Sequence, residues 1–175
     1  MRTRLFMIST LLVGVVSAAS VGGQPPEFKT FASSEGRYKA VFPGAVKTDT
    51  FPIKSEKGEL TLTVDLVELR AGTSFMVTYV DTPAEVAKLP AEGRLDKVRD
   101  GNKGTDGKVT SDKPLTLGAE KHPGRDVLIE KPEGCIRNRI VIAGTRLYQV
   151  MVQGPKDVVT SPSADRFIDS FEITK

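Results

Sequence analysis

The sequence predicts an α+β fold in which an antiparallel sheet of about six to eight strands is flanked by helices. Three observations carry this expectation. Three β-rich runs follow one another between Gly124 and Gln153, separated only by Pro132-Glu133-Gly134 and Ala143-Gly144-Thr145, where glycine and proline permit reversal. Leu60, Leu62, Val64 and Leu66 alternate with Thr61, Thr63 and Asp65, the two-residue period of a strand. Ala164, Phe167, Ile168 and Phe171 fall at i, i+3, i+4 and i+7, one face of a helix, and a mixed domain buries such a face on a sheet.

At the start of the chain, Met1-Arg2-Thr3-Arg4 is basic, Leu5 to Val16 is apolar, and Ser17-Ala18-Ala19-Ser20 is built of small residues. This reads as a secretory signal peptide over residues 1–19, cleaved between Ala19 and Val21. The apolar run is short for a bilayer span. Retention as an N-terminal anchor is the other reading, and with no cysteine near the junction a lipoprotein is not expected. No other run could cross a membrane. Residues 20–27, with Gly-Gly and Pro-Pro, read as a flexible lead-in, and 28–175 as a single domain of a length that can bury one core. A monomer is the default expectation. Without Arg2 and Arg4 the chain carries 23 basic and 22 acidic side chains, a balance that offers nucleic acid no basic stripe.

Along the domain, Tyr38, Ala40 and Phe42 share one face of a strand after the turn Ser34-Glu35-Gly36, and Pro43-Gly44 stops it. Val46 to Ile53 reads as an edge strand because it contains Pro52. Ser55-Glu56-Lys57-Gly58 is a hairpin turn into Glu59–Leu69, whose leucines are expected inward and whose Thr61, Thr63 and Asp65 are expected outward. The phase slip at Leu66-Val67 predicts a bulge before Ala71-Gly72-Thr73, and Ser74 to Val80 is the next strand. Thr82 as cap and Pro83 at the first helical position predict a short turn over Ala84–Leu89. A second helix follows from Ala91 to Lys103, with Leu95 and Val98 inward. The polar run Asp100–Gly107 lacks the ligand spacing and closing glutamate of a calcium loop, and Lys108 to Leu117 is a strand.

For the last hairpin, a three-residue loop, Ala143 to Thr145, would set Ile136, Ile140 and Ile142 beside Tyr148, Val150 and Val152. It would leave Arg137, Arg139, Leu147, Gln149 and Met151 opposite. A two-residue loop would instead pair Arg137, Arg139 and Val141 with Tyr148, Val150 and Val152, mixing both faces, so the burial pattern favours the longer loop. The C-terminal helix, capped by Ser161 with Pro162 in its first turn, is then expected over Leu147 and Met151.

Gly36-Arg37-Tyr38-x-x-x-Phe42-Pro43, Pro123-Gly124-Arg125, Arg146-Leu147-Tyr148-Gln149-Val150 and Asp165-Arg166-Phe167-Ile168-Asp169-Ser170-Phe171 together resemble the small exported bacterial domains of PsbP-like fold. That superfamily includes the extrinsic P subunit of photosystem II, the Ran-binding Mog proteins and envelope proteins of the LpqN and DcrB kind. The resemblance implies an α/β/α sandwich with an antiparallel sheet, a role in partner binding, and no shared catalytic set or cofactor.

His122 and Cys135 are the only histidine and the only cysteine. They flank one strand at opposite ends, too far apart for a nucleophile–base pair, and no metal-ligand spacing, phosphate loop or Gly-x-Ser-x-Gly elbow is present. Cys135 reads as a packing residue and His122 as a surface turn residue. Arg125, Arg137 and Arg139 are expected to line one sheet face, where guanidinium groups would suit an acidic partner or be neutralised by Asp126, Glu130 and Asp169. The leading expectation is an exported, non-enzymatic domain that binds a protein or envelope component, with no cofactor. Two others stay open: a small hydrolase or thiol enzyme using His122 or Cys135, and a structural envelope protein without a discrete ligand.

Overall fold

A computed structural model describes residues 27–55, 58–70 and 72–175. The expected leader at 1–19, almost all of the 20–27 lead-in, Glu56-Lys57 and Ala71 lie outside the described residues. The elements are β1 (Lys29–Ser33), β2 (Tyr38–Phe42), β3 (Lys47–Ser55), β4 (Gly58–Arg70), β5 (Thr73–Asp81), α1 (Ala84–Ala87), α2 (Ala91–Lys103), β6 (Lys108–Leu117), β7 (His122–Lys131), β8 (Gly134–Ala143), β9 (Arg146–Gly154), α3 (Lys156–Val159), α4 (Pro162–Asp169) and β10 (Glu172–Ile173). Seven strands form one antiparallel sheet in the order β3-β4-β5-β9-β8-β7-β6, and β1-β2-β10 form a second, smaller one. Among the described residues, no helix is long and apolar enough to cross a membrane.

The main core lies between the large sheet on one side and the small sheet with α4 on the other. Tyr38, Ala40 and Phe42 of β2 meet Val77, Tyr79, Tyr148 and Val150 of the large sheet and Phe167, Ile168 and Phe171 from the C-terminal segment. A lesser cluster on the opposite face joins Leu95 of α2 to Val127, Ile140 and Ile142. Thus α2 covers one face and α4 the other. Helix α4 starts as expected, with Ser161 Oγ accepting from Ala164 N at 3.2 Å and Pro162 in the first turn.

Four local expectations are corrected. The β8–β9 hairpin has the two-residue loop, since Ala143 pairs with Arg146 and Val141 with Tyr148. Gly144 sits at φ 62°, and glycine at the first central position gives the turn whose twist matches the flanking strands. Arg137 and Arg139 therefore share the core-facing side with Tyr148, Val150 and Val152, which is tolerable because carboxylates from α4 and β7 pair with them. It follows that α4 packs on the Tyr148 face, while Leu147 lies on the other and is covered from the α2 side.

Strand β4 is also turned over. Thr63, Asp65 and Val67 are its buried residues, whereas Leu60, Leu62, Val64 and Leu66 are only half-buried. The polar residues can face inward because Asp65 has donors there: Tyr38 Oη and Thr48 Oγ1 both reach its carboxylate at 2.5 Å. The expected bulge falls between Glu68 and Arg70. Finally, Thr82 does not cap α1; its hydroxyl donates to Thr145 O at 2.6 Å, tying the helix start to the β8–β9 turn.

Candidate functional site

The three arginines proposed from the sequence do not form one row. Arg125 pairs across the ladder with Ile140, whereas Arg139 pairs with Asp126 and Arg137 with Leu128. Paired residues point the same way, so Arg125 belongs to the α2 face and the other two to the α4 face. The single-residue offset between β7 and β8 separates them. Each also has carboxylates of its own. Arg125 meets Asp96 and Asp112 at 2.9 and 2.8 Å; Arg139 forks onto both oxygens of Asp126 and reaches Asp169; Arg137 holds Asp165. A partner using any of them would have to displace these groups.

Cys135 is buried in the main core, the packing role expected of it. His122 is no free turn residue: it opens β7 opposite Leu117, is half-buried, and its Nε2 lies 3.4 Å from Glu120. Cys135 stands opposite Glu130, at the far end of β7. At ~3.3 Å per residue, eight residues of strand place them roughly 26 Å apart.

His122 does line a cleft of about 680 Å³ that no local motif announces. The cleft opens where the β6–β7 and β8–β9 turns face the segment Phe171–Lys175, with Arg37 on its margin. A volume in that range suits a small organic molecule. Arg146 stands in its wall, where Nε and Nη2 grip the two oxygens of Asp81 at 2.8 and 2.6 Å and Nη1 donates to Glu35 O at 2.6 Å. The guanidinium also lies over the Tyr79 ring at 4.8 Å. Hydrogen bonding to Arg146 holds the Asp81 carboxyl below its usual range.

A pH dependence follows from that lowered value. A depressed folded-state pKa stabilises the fold above the ordinary carboxylate range, and the contribution is lost as pH falls through and below it. Asp81 is more than half exposed, so screening keeps the contribution under about 1 kcal/mol. Asp81→Asn is therefore expected to be slightly less stable than the parent at pH 7 in urea titrations. The gap should close at strongly acidic pH; a gap that widens there would refute the assignment.

The other feature of note is a sheet surface that no helix packs over among the described residues. Cross-strand pairing brings Phe51 against Leu62, Ile53 against Leu60, and Leu66 against Met76, placing six apolar side chains and Val64 on one face of β3, β4 and β5, with Asp49 and Lys47 opposite Val64 and Leu66 at the outer strand. Phe51 is 49% exposed and the others are half-buried. Helix α2 packs over β7 and β8, at the opposite end of the sheet. The leucine alternation of β4 marks this surface and not the main core, which takes Thr63, Asp65 and Val67 instead.

With seven antiparallel strands, a helix on one face, and a small sheet plus terminal helix on the other, the architecture can be set beside known structures. The chain matches the solution structure of cyanobacterial PsbP (CyanoP) from Synechocystis sp. PCC 6803 with a TM-score of 0.52, over 87% of this chain and 95% of that one. The fold is PsbP-like. Sequence identity in this match is 10%, so what the two share is the PsbP-like backbone path. No family model matches the chain, and no curated protein does.

Proposed function

We propose that this PsbP-like chain is an exported, non-enzymatic binding domain of the bacterial envelope, and that it docks on a protein partner through the open face of β3, β4 and β5. The observation that carries this reading is the contiguous apolar surface around Phe51, Leu62 and Leu66. Contiguous apolar surface at the edge of a sheet, left bare beside a helix-covered half, is a mark of protein interaction. Pro52 in β3 and lysines at 47 and 54 discourage indiscriminate pairing of that edge strand, so side chains rather than ladder hydrogen bonds would carry the contact. The leader-like composition of residues 1–19 supports export. The separation of His122 from Cys135 supports a role without covalent chemistry.

A photo-crosslinking residue placed at position 51, and for comparison at Arg166 of α4, tests the docking face in cells. The expected result is one discrete heterologous adduct from position 51 only, abolished by Leu62→Glu in a protein that keeps its circular dichroism spectrum. Adducts equally abundant from both positions, or only with a second copy of the chain, would overturn it.

A further inference from the structure

Apart from the docking face, the cleft at the turn end has features of a built site. Two non-glycine residues among those described have a left-handed backbone, Arg37 at φ 50° and Lys121 at φ 52°. Both are basic, and both close a hairpin at this cleft: Arg37 lines it, and Lys121 sits between the lining residues Glu120 and His122. Such positions are ordinarily taken by glycine or asparagine. Strain of this kind persists where its surroundings over-determine it, and it gathers at ligand sites.

The turn that carries Arg37 is held in that way. Three successive carbonyls each accept a hydrogen bond, two of them from β9 and one from the residue after β10: Glu35 O from Arg146 Nη1 at 2.6 Å, Gly36 O from Tyr148 Oη at 2.7 Å, and Arg37 O from Thr174 N at 2.8 Å. Gly36 N adds a bond to Ser33 Oγ at 3.0 Å. Gly36 itself is needed, because a Cβ there would stand 2.8 Å from the Tyr38 ring. Yet the exposed Arg37 side chain forms none of the hydrogen bonds or ion pairs found here. Its neighbour Arg146 is neutralised by Asp81, whereas Arg37 acts through its field on that carboxylate and on the Tyr148 phenol.

We infer that this cleft binds a small organic carboxylate with an apolar body, and that Arg37 receives the carboxylate. Leu117, Phe171 and Ile173 supply apolar wall, and a planar guanidinium matches a carboxylate with two parallel donors. Glu120 and Glu172 also line the cleft, the first beside His122 and the second paired with Lys39. His122 faces the bound molecule and reports on it.

The test uses 4-phenylbutyrate as probe and 4-phenyl-1-butanol as its uncharged analogue, titrated into the untagged protein. The ring signals of His122, the only histidine, are followed by NMR. The expected result is a saturable shift with a Kd below about 1 mM for the acid, and at least tenfold weaker binding of the alcohol. Arg37→Gly should bind the acid about tenfold more weakly while melting at a higher temperature, since glycine relieves the left-handed strain. Arg37→Lys should keep part of the preference for the acid. Equal binding of acid and alcohol, undiminished binding by Arg37→Gly, or no saturable shift at His122 would each overturn the assignment.

Discussion

Phe167→Ala is expected to cost about 3–5 kcal/mol, a large share of the ~5–15 kcal/mol that holds a domain of this size together. Phe167 is 0% exposed. Its ring stands 4.9 Å from that of Phe42 and 5.4 Å from that of Phe75, edge-on to both, so it joins α4, the small sheet and the large sheet at one point. Removing it leaves a cavity whose three walls belong to different layers and cannot close together. Urea denaturation measures the loss; a value below about 1 kcal/mol would mean that α4 is not docked on this face. Phe167→Leu, which keeps most of the volume, should recover more than half of the loss.

Asp65→Ala is expected to cost about 2–4 kcal/mol despite removing a charge from the interior, because it strands two hydroxyl donors. Asp65 is 1% exposed and accepts from Tyr38 Oη and Thr48 Oγ1. Tyr38 is itself fully buried. Burial, with the carboxylate beside it, pushes the Tyr38 phenol far above its usual pKa, so it remains a proton donor at any working pH. Tyr38→Phe combined with Asp65→Ala should cost less than the sum of the two single changes, since each alone strands the group that the other residue contributes to the bond. Strict additivity in denaturation experiments would show that the bond contributes nothing.

The same residues show how much of the molecule was legible beforehand. Tyr38, Ala40 and Phe42, the α4 stripe, the Ser161 cap and, to within a residue, β8, β9 and the end of β7 follow from local period and turn chemistry, whereas β7 starts two residues before the expected Gly124, at His122. What failed was the choice of side. Local period sets Leu60 to Leu66 inward because leucine outranks aspartate for burial, but burial of Asp65 depends on Tyr38 and Thr48, each at least 17 residues away in sequence. Likewise Arg137 and Arg139 were turned away from the core, because the carboxylates that neutralise them come from other elements. Arg37 could not be singled out, since its left-handed backbone is imposed by Arg146, Tyr148 and Thr174. The sites on this protein are assembled from long-range contacts, which a single strand's pattern does not encode.

The pairing of β2 with β10 bears on the order in which the chain can acquire its shape during synthesis. Glu172 lies opposite Lys39, and Val41 N donates to Ser170 Oγ across 129 residues of sequence. As the polypeptide leaves the ribosome, Tyr38 and Phe42 emerge early but have no aromatic lid until Phe167 and Phe171 follow. Contacts of such separation form late. The core around Tyr38 and Phe42 therefore closes only after the C-terminal helix has been delivered, whatever the sequential hairpins of the large sheet have done by then.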